Sequence, residues 1–164
     1  MPLNENMFAE QVLISVRKIY RNKMSGLVAH AGLELTFELG EQLVLHRNPE
    51  NNTHISTIEE FSDGEVLVKK TTIIATQAIV DRINKRLSTN FKYSLADNCE
   101  HLVSEVLTGR ATSAQLNTSL TVSAFGTALV ACKASYRSVP TLLFSALVFG
   151  GIGLYIEKQN QLSS

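Results

Sequence analysis

From Val139 to Ile156 the chain runs VPTLLFSALVFGGIGLYI, without one charged residue. As a helix this run is roughly 27 Å long, just enough to cross a thin hydrocarbon core. Whatever the chain folds into must bury this segment or give it to lipid. All the acids except Glu157, and all the bases except Lys133, Arg137 and Lys158, lie in residues 1–110. The chain therefore reads as a mixed-charge part followed by an apolar, helical C-terminal tail. Pro140 at the start of the run is tolerated there. Ala146 and Gly150 form a small-xxx-small pair suited to close helix packing. Lys133 and Arg137 flank the run on its N-terminal side, which favours a start on the cytoplasmic face of a membrane. The expectation is a C-terminal anchor, single-pass or hairpin. The alternative is a buried pair of helices, about 119–132 and 139–157, in a cytoplasmic soluble protein.

Composition narrows the function classes. The 164 residues carry 15 Lys+Arg against 15 Asp+Glu, so the basic surplus of a dedicated nucleic-acid binder is missing. With 45% hydrophobic residues the chain is no disordered segment. Cys99 and Cys132 are too far apart in sequence for a CxxC metal site and too few for a disulfide framework. Residues 1–10 lack the basic start and apolar run of a signal peptide. Free thiols in a reducing compartment are therefore expected.

The pattern along residues 1–110 predicts an α+β domain. Asn6 caps an expected helix from about Met7 to Asn22, with Phe8, Val12, Val16 and Ile19 as its apolar stripe. Residues 27–39 alternate: Leu27, Ala29, Ala31, Leu33, Leu35, Phe37 and Leu39 on one face, and mostly polar residues, including His30, on the other. That places His30 on an accessible strand face. A second strand begins at Leu43 and ends at Asn48–Pro49. A hairpin register with a pair sum of 76 sets His30 opposite His46. Residues 51–53 read as loop, 58–61 as a short turn of helix or loop, and 66–74 as strand. Residues 77–87 read as a helix with Arg82, Lys85 and Arg86 towards solvent. Asn98 caps a helix that Gly109 closes.

Chemistry concentrates at Cys99, in the first turn of that helix. The helix dipole and unpaired N–H groups there favour thiolate and can stabilise a substrate oxyanion. A thiol nucleophile needs a base, which His30 offers, with His46 to orient it. Such a Cys on a helix start against a His-bearing sheet is papain-like in geometry. A small buried Cys99 without chemistry remains the plainer alternative. Zinc ligation by Cys99, His30 and His46 is disfavoured, because no two of them are closely spaced. His54 reads as a loop-edge residue, His101 as structural and Cys132 as packing.

Asn98-Cys99-Glu100-His101-Leu102-Val103 resembles the NCEHF motif of the lecithin:retinol acyltransferase-like proteins. Arg86-Leu87, Tyr93-Ser94-Leu95, Gly109 and Ser113-Ala114-Gln115 fit its flanks. His30-Ala31-Gly32-Leu33 and Val44-Leu45-His46-Arg47 resemble the two His strands, and Ile58 to Gly64 fits the family's connecting segment. The likeness covers about residues 25–115, between an N-terminal helix (1–24) and the tail (116–164). The interval from His30 to His46 is longer than usual in the family, and Leu102 replaces its Phe. The resemblance implies a circularly permuted papain-like, NlpC-like fold, an antiparallel sheet packed on the Cys-bearing helix. It also implies a thiol acyltransferase or phospholipase A that takes an acyl chain from a phospholipid through a Cys99 thioester. His30 would be the base and His46 the third polar residue, with Asn98, Glu100 and His101 as motif residues and no cofactor or metal. The alternatives are a non-catalytic lipid- or protein-binding relative, and a cysteine peptidase or amidase.

Overall fold

The computed structural model describes residues 11–22, 28–48, 52–89, 98–133 and 138–163. They fall into two compact units, one holding the sheet and the other the C-terminal helices. The first is α+β. Its strands are β1 (Leu13–Arg21), β2 (His30–Phe37), β3 (Gln42–Asn48), β4 (Asn52–Ser56) and β5 (Leu67–Ile74), and its helices are α1 (Ile58–Ser62), α2 (Gln77–Ser88) and α3 (Cys99–Thr108). The sheet is antiparallel throughout, in the order β4-β3-β2-β1-β5.

β1 stands where the spacing predicts a helix. Val16, Ile19 and Tyr20 are all buried, which imitates a helical stripe. The cause is a strand buried on both faces, because β1 pairs with β2 on one side and β5 on the other. Val16 and Tyr20 lie opposite Leu35 and Ala31, whereas Ile19 lies opposite Gly32 and faces the other way. The expected cap Asn6 and the start of that helix lie outside the described residues.

The β2–β3 register has a pair sum of 78, not 76, with Leu33 opposite Leu45 and Gly32 opposite His46. The turn sets it. Gly40 takes a φ of 85°, donates to Phe37 O at 2.9 Å, and Phe37 N bonds Glu41 O at 3.0 Å. This three-residue turn moves every pair by two, so the faces stay as expected while the partners change. β4 occupies part of the expected loop. It is a short polar edge strand, which gave no apolar alternation to read.

Register assigns the side chains to faces. His30, Gly32 and Glu34 share one face with Ile19, Val44 and His46, and Ala31, Leu33 and Leu35 share the other with Lys18, Tyr20 and Leu45. Phe61 of α1 covers the first face. A Cβ on Gly32 would come within 2.8 Å of its ring, so this position needs glycine for close approach. Ile19, Val44 and Phe61 form a small core there, with Ile58 and Leu67 against it. On the same face Glu34 is buried between Arg17 and Lys69, whose Nζ is 2.7 Å away. Both faces are therefore covered, and His30 is buried rather than accessible.

α1 carries a full capping box between Thr57 and Glu60. α2 turns Ile79 and Ile83 inward as expected. Arg86, expected in solvent, is buried and paired with Glu105 of α3. Arg82 donates to the carbonyl of Val106 at 3.1 Å, near the C-terminal end of α3. Two cations on α2 thus satisfy an acid and a helix end on α3, a use that an exposed-face reading misses.

The second unit consists of α4 (Ala114–Lys133) and α5 (Val139–Leu162), packed antiparallel. Both run longer than the sequence suggested. α5 is long and apolar enough to cross a membrane, with a mean hydropathy of 1.9 over its best window. Cys132 is exposed, so the packing role expected for it is not observed.

Candidate active site

Three histidines and a serine gather on the Phe61 face. Because Gly32 is the residue opposite His46, His30 reaches His46 diagonally, with Nε2 3.3 Å from Nδ1. His46 Nε2 lies 3.0 Å from Ser56 Oγ, and Ser56 Oγ donates to Thr57 O at 3.1 Å. That carbonyl also accepts the first helical bond of α1, from Phe61 N. The network sets the tautomers. Ser56 gives its proton to Thr57, so it accepts from His46 Nε2–H. The Nδ1 of His46 is then an acceptor and takes the Nε2–H of His30. Where His30 is neutral, its basic nitrogen is then Nδ1, the atom through which a general base here would act.

His46 is held neutral. Burial, then repulsion from His54 and His30 when those rings are protonated and from Arg21, lowers its pKa from 6.5 to about 3. The unfolded chain therefore binds a proton between these values that the folded chain refuses. Stability from this group is complete above pH 6.5 and falls as pH drops towards 3, by on the order of 1 kcal/mol per unit. Glu34 adds to acid sensitivity. Burial raises its pKa, but the bonds and charges of Lys69 and Arg17 outweigh this and hold it below 4.5. The expected result is a melting temperature that falls on acidification below 6.5 in wild type and falls less in His46→Asn. Parallel curves for the two proteins would refute the assignment to His46.

His54 belongs to the cluster. It pairs with His46 across β3 and β4, and their ring centroids are 4.1 Å apart. Phe61 stacks on His30 at 5.3 Å and meets His46 edge-on at 5.1 Å. Sequence reasoning missed Ser56, His54 and Phe61 as members of the cluster. The available signal was the symmetry of His46 and His54 about the turn between β3 and β4.

Cys99 is the first residue of α3, half-buried. Asn98 Oδ1 accepts from the N–H groups of Glu100 at 2.9 Å and His101 at 3.2 Å. Those two donors, expected to face a substrate oxyanion, serve the cap instead. Glu100 is buried with its carboxylate 3.8 Å from Lys18 Nζ, and His101 is buried too. Lys18 belongs to the Leu33 face, so α3 begins over the face opposite the histidines. The contacts thus join His30, His46, His54 and Ser56, and set the Cys99 helix on the other side of the same two strands. Residues 90–97, with Tyr93-Ser94-Leu95, lie outside the described residues. Among the described residues no group of three His, Cys, Asp or Glu could hold a metal ion.

The class defined by fold and site is an α+β domain with a buried, tautomer-ordered histidine cluster and an apolar helix pair. No family model, curated protein or solved structure matches the chain.

Proposed function

We propose that the chain is a membrane-attached thiol acyltransferase or phospholipase A acting through Cys99. The observation that supports this reading is the ordered chain from Thr57 O through Ser56 and His46 to Nε2 of His30. The substrate class rests on the likeness of residues 98–103 to the NCEHF motif. His30 and Cys99 each open their element, and the reading requires the two groups to meet around the end of β2. There His30 Nδ1 takes the thiol proton, and the thiolate attacks the ester carbonyl of a phospholipid. The tetrahedral intermediate collapses to a Cys99 thioester, and the proton on His30 passes to the departing lysophospholipid oxygen. Water, an amine or an alcohol then gives its proton to His30 and takes the acyl group, and the thiol is restored. α5 supplies the lipid setting. The test is lysophospholipid release from phosphatidylcholine vesicles, expected with wild type and absent with Cys99→Ser; equal release by both would refute it.

A second reading has its own observations. The histidines and the start of α3 occupy opposite faces, and a cavity of about 360 Å³ lies between α2 and apolar residues such as Leu13, Leu35 and Phe37. These favour a non-catalytic lipid-binding protein of the same architecture, which would seat a single acyl chain in the cavity and release no lysophospholipid.

A further inference from the structure

The α4–α5 pair is inverted relative to a water-soluble hairpin. Ser119, Ser123, Gly126, Gly150 and Gly153 lie on the inner face of the pair, while Thr121 and Thr141 are exposed. Ser119 Oγ donates to Gly150 O and Ser123 Oγ to Ala146 O, each at 2.9 Å. Gly153 lies on the backbone of Ser119, where a Cβ would come within 2.7 Å, and the ring of Phe149 covers Gly126. At the open end Thr118 donates to Glu157 at 3.1 Å, and Gln115 bonds both Gln161 and the carbonyl of Ala29. The large apolar side chains point outward: Leu120, Phe125 and Leu129 on α4, and Leu143, Phe144 and Leu147 on α5, each more than 60% exposed. In water such an arrangement hides the wrong groups, because burying hydroxyls gains little and leaving these apolar side chains wet costs much. In hydrocarbon it is the favoured one, since polar groups need partners and apolar ones do not.

We propose that α4 and α5 enter the bilayer together, as a preformed helical hairpin whose occupant is the lipid acyl chains. The proposal deepens the membrane attachment proposed above, which needs α5 alone. α4 is not apolar enough by composition, yet Ser119 and Ser123 are spent on α5, so the outer surface of the pair is mostly apolar, with the exposed Asn117 and Thr121 towards the open end. The helices measure about 30 and 36 Å, matched to a hydrocarbon core of about 30 Å. Charges sit only at the two borders, with Lys133 and Arg137 between the apolar stretches of the two helices in the sequence and Glu157 and Lys158 near the open end. Both ends of the hairpin then lie on one side of the membrane and the Lys133 end of α4 on the other, so the cytoplasmic start of the apolar run expected from Lys133 and Arg137 is given up.

Topology tests this without acyl chemistry, so it is carried out on the full chain with Cys99→Ala. The reporters are native Cys132 at the Lys133 end of α4, and Thr112→Cys and Ser163→Cys each combined with Cys132→Ser. Each protein is added to preformed phosphatidylcholine vesicles, floated, and exposed to a membrane-impermeant maleimide. Positions 112 and 163 should label at equal rates, and Cys132 slower by at least an order of magnitude until detergent is added. Gly153→Val, which forces the helices apart, should remove most of the protection of Cys132. Labelling at 112 with protection at 163 would mean a single pass and overturn the proposal. Rapid labelling of Cys132 on floated protein, or failure of the protein to float, would overturn it as well. Neither result bears on the thiol, because vesicle attachment and lysophospholipid release are read separately.

Discussion

His30→Ala slows single-turnover acylation of Cys99 by roughly 100- to 10,000-fold, the range of a lost general base. The thiol then has no neutral acceptor for its proton, and the attacking thiolate is scarce at neutral pH. Ser56→Ala acts differently. It removes the acceptor for His46 Nε2–H, 3.0 Å away, and frees His46 to adopt the other tautomer. His46 Nδ1 would then carry the proton, and His30 would have to present its own lone pair inward. The expected signature is a smaller loss of rate than in His30→Ala, with a changed pH profile. Ser56→Thr, which keeps the hydroxyl, should restore the wild-type profile. The measurement is acylation rate against pH, with folding checked by thermal melts. A wild-type rate in His30→Ala would remove the base from the account, and a wild-type profile in Ser56→Ala would remove the relay.

Gly32→Leu should unfold or loosen the Phe61 face. Its first side-chain carbon alone would stand 2.8 Å from Phe61 and 2.9 Å from Val44, with nothing flexible to yield. Overpacking of this kind costs about 1–3 kcal/mol, and relief requires Phe61 to leave the rings of His30 and His46. The melting temperature should fall, and the acid sensitivity assigned to His46 should weaken as its ring gains water. Leu39→Ala, at an exposed turn residue, serves as the control and should change neither. An unchanged melt for Gly32→Leu would contradict the packing of α1 on β2.

Much of the site's framework is legible in the residues. The Asn98 cap, the Cys99 start and the Gly109 stop of α3 follow from capping chemistry and hold to the residue. The alternation through β2 predicts its apolar face. What it cannot supply is what lies against the other face. α1 is five residues long and its single buried anchor, Phe61, has no periodicity to betray it. That ring covers His30 and His46, and the pairing of β3 with β4 sets His54 and Ser56 beside them. β1 misleads for a related reason, since two-sided burial of Val16, Ile19 and Tyr20 has the same spacing as a helical stripe. The interior of the α4–α5 pair is hidden because Ser and Gly carry no hydropathy signal; their role is visible only in the bonds from Ser119 and Ser123.

The central claim is a covalent one, that Cys99 takes an acyl chain under the control of His30. Intact-mass measurement of the full chain, after brief incubation with phosphatidylcholine vesicles of a single known acyl chain, tests it most directly. The account predicts one added acyl mass, discharged by hydroxylamine as a thioester is, located on the peptide bearing Cys99 and absent from Cys99→Ala. An unmodified wild-type chain beside bound, intact phospholipid would contradict it, as would a hydroxylamine-labile adduct that persists in Cys99→Ala.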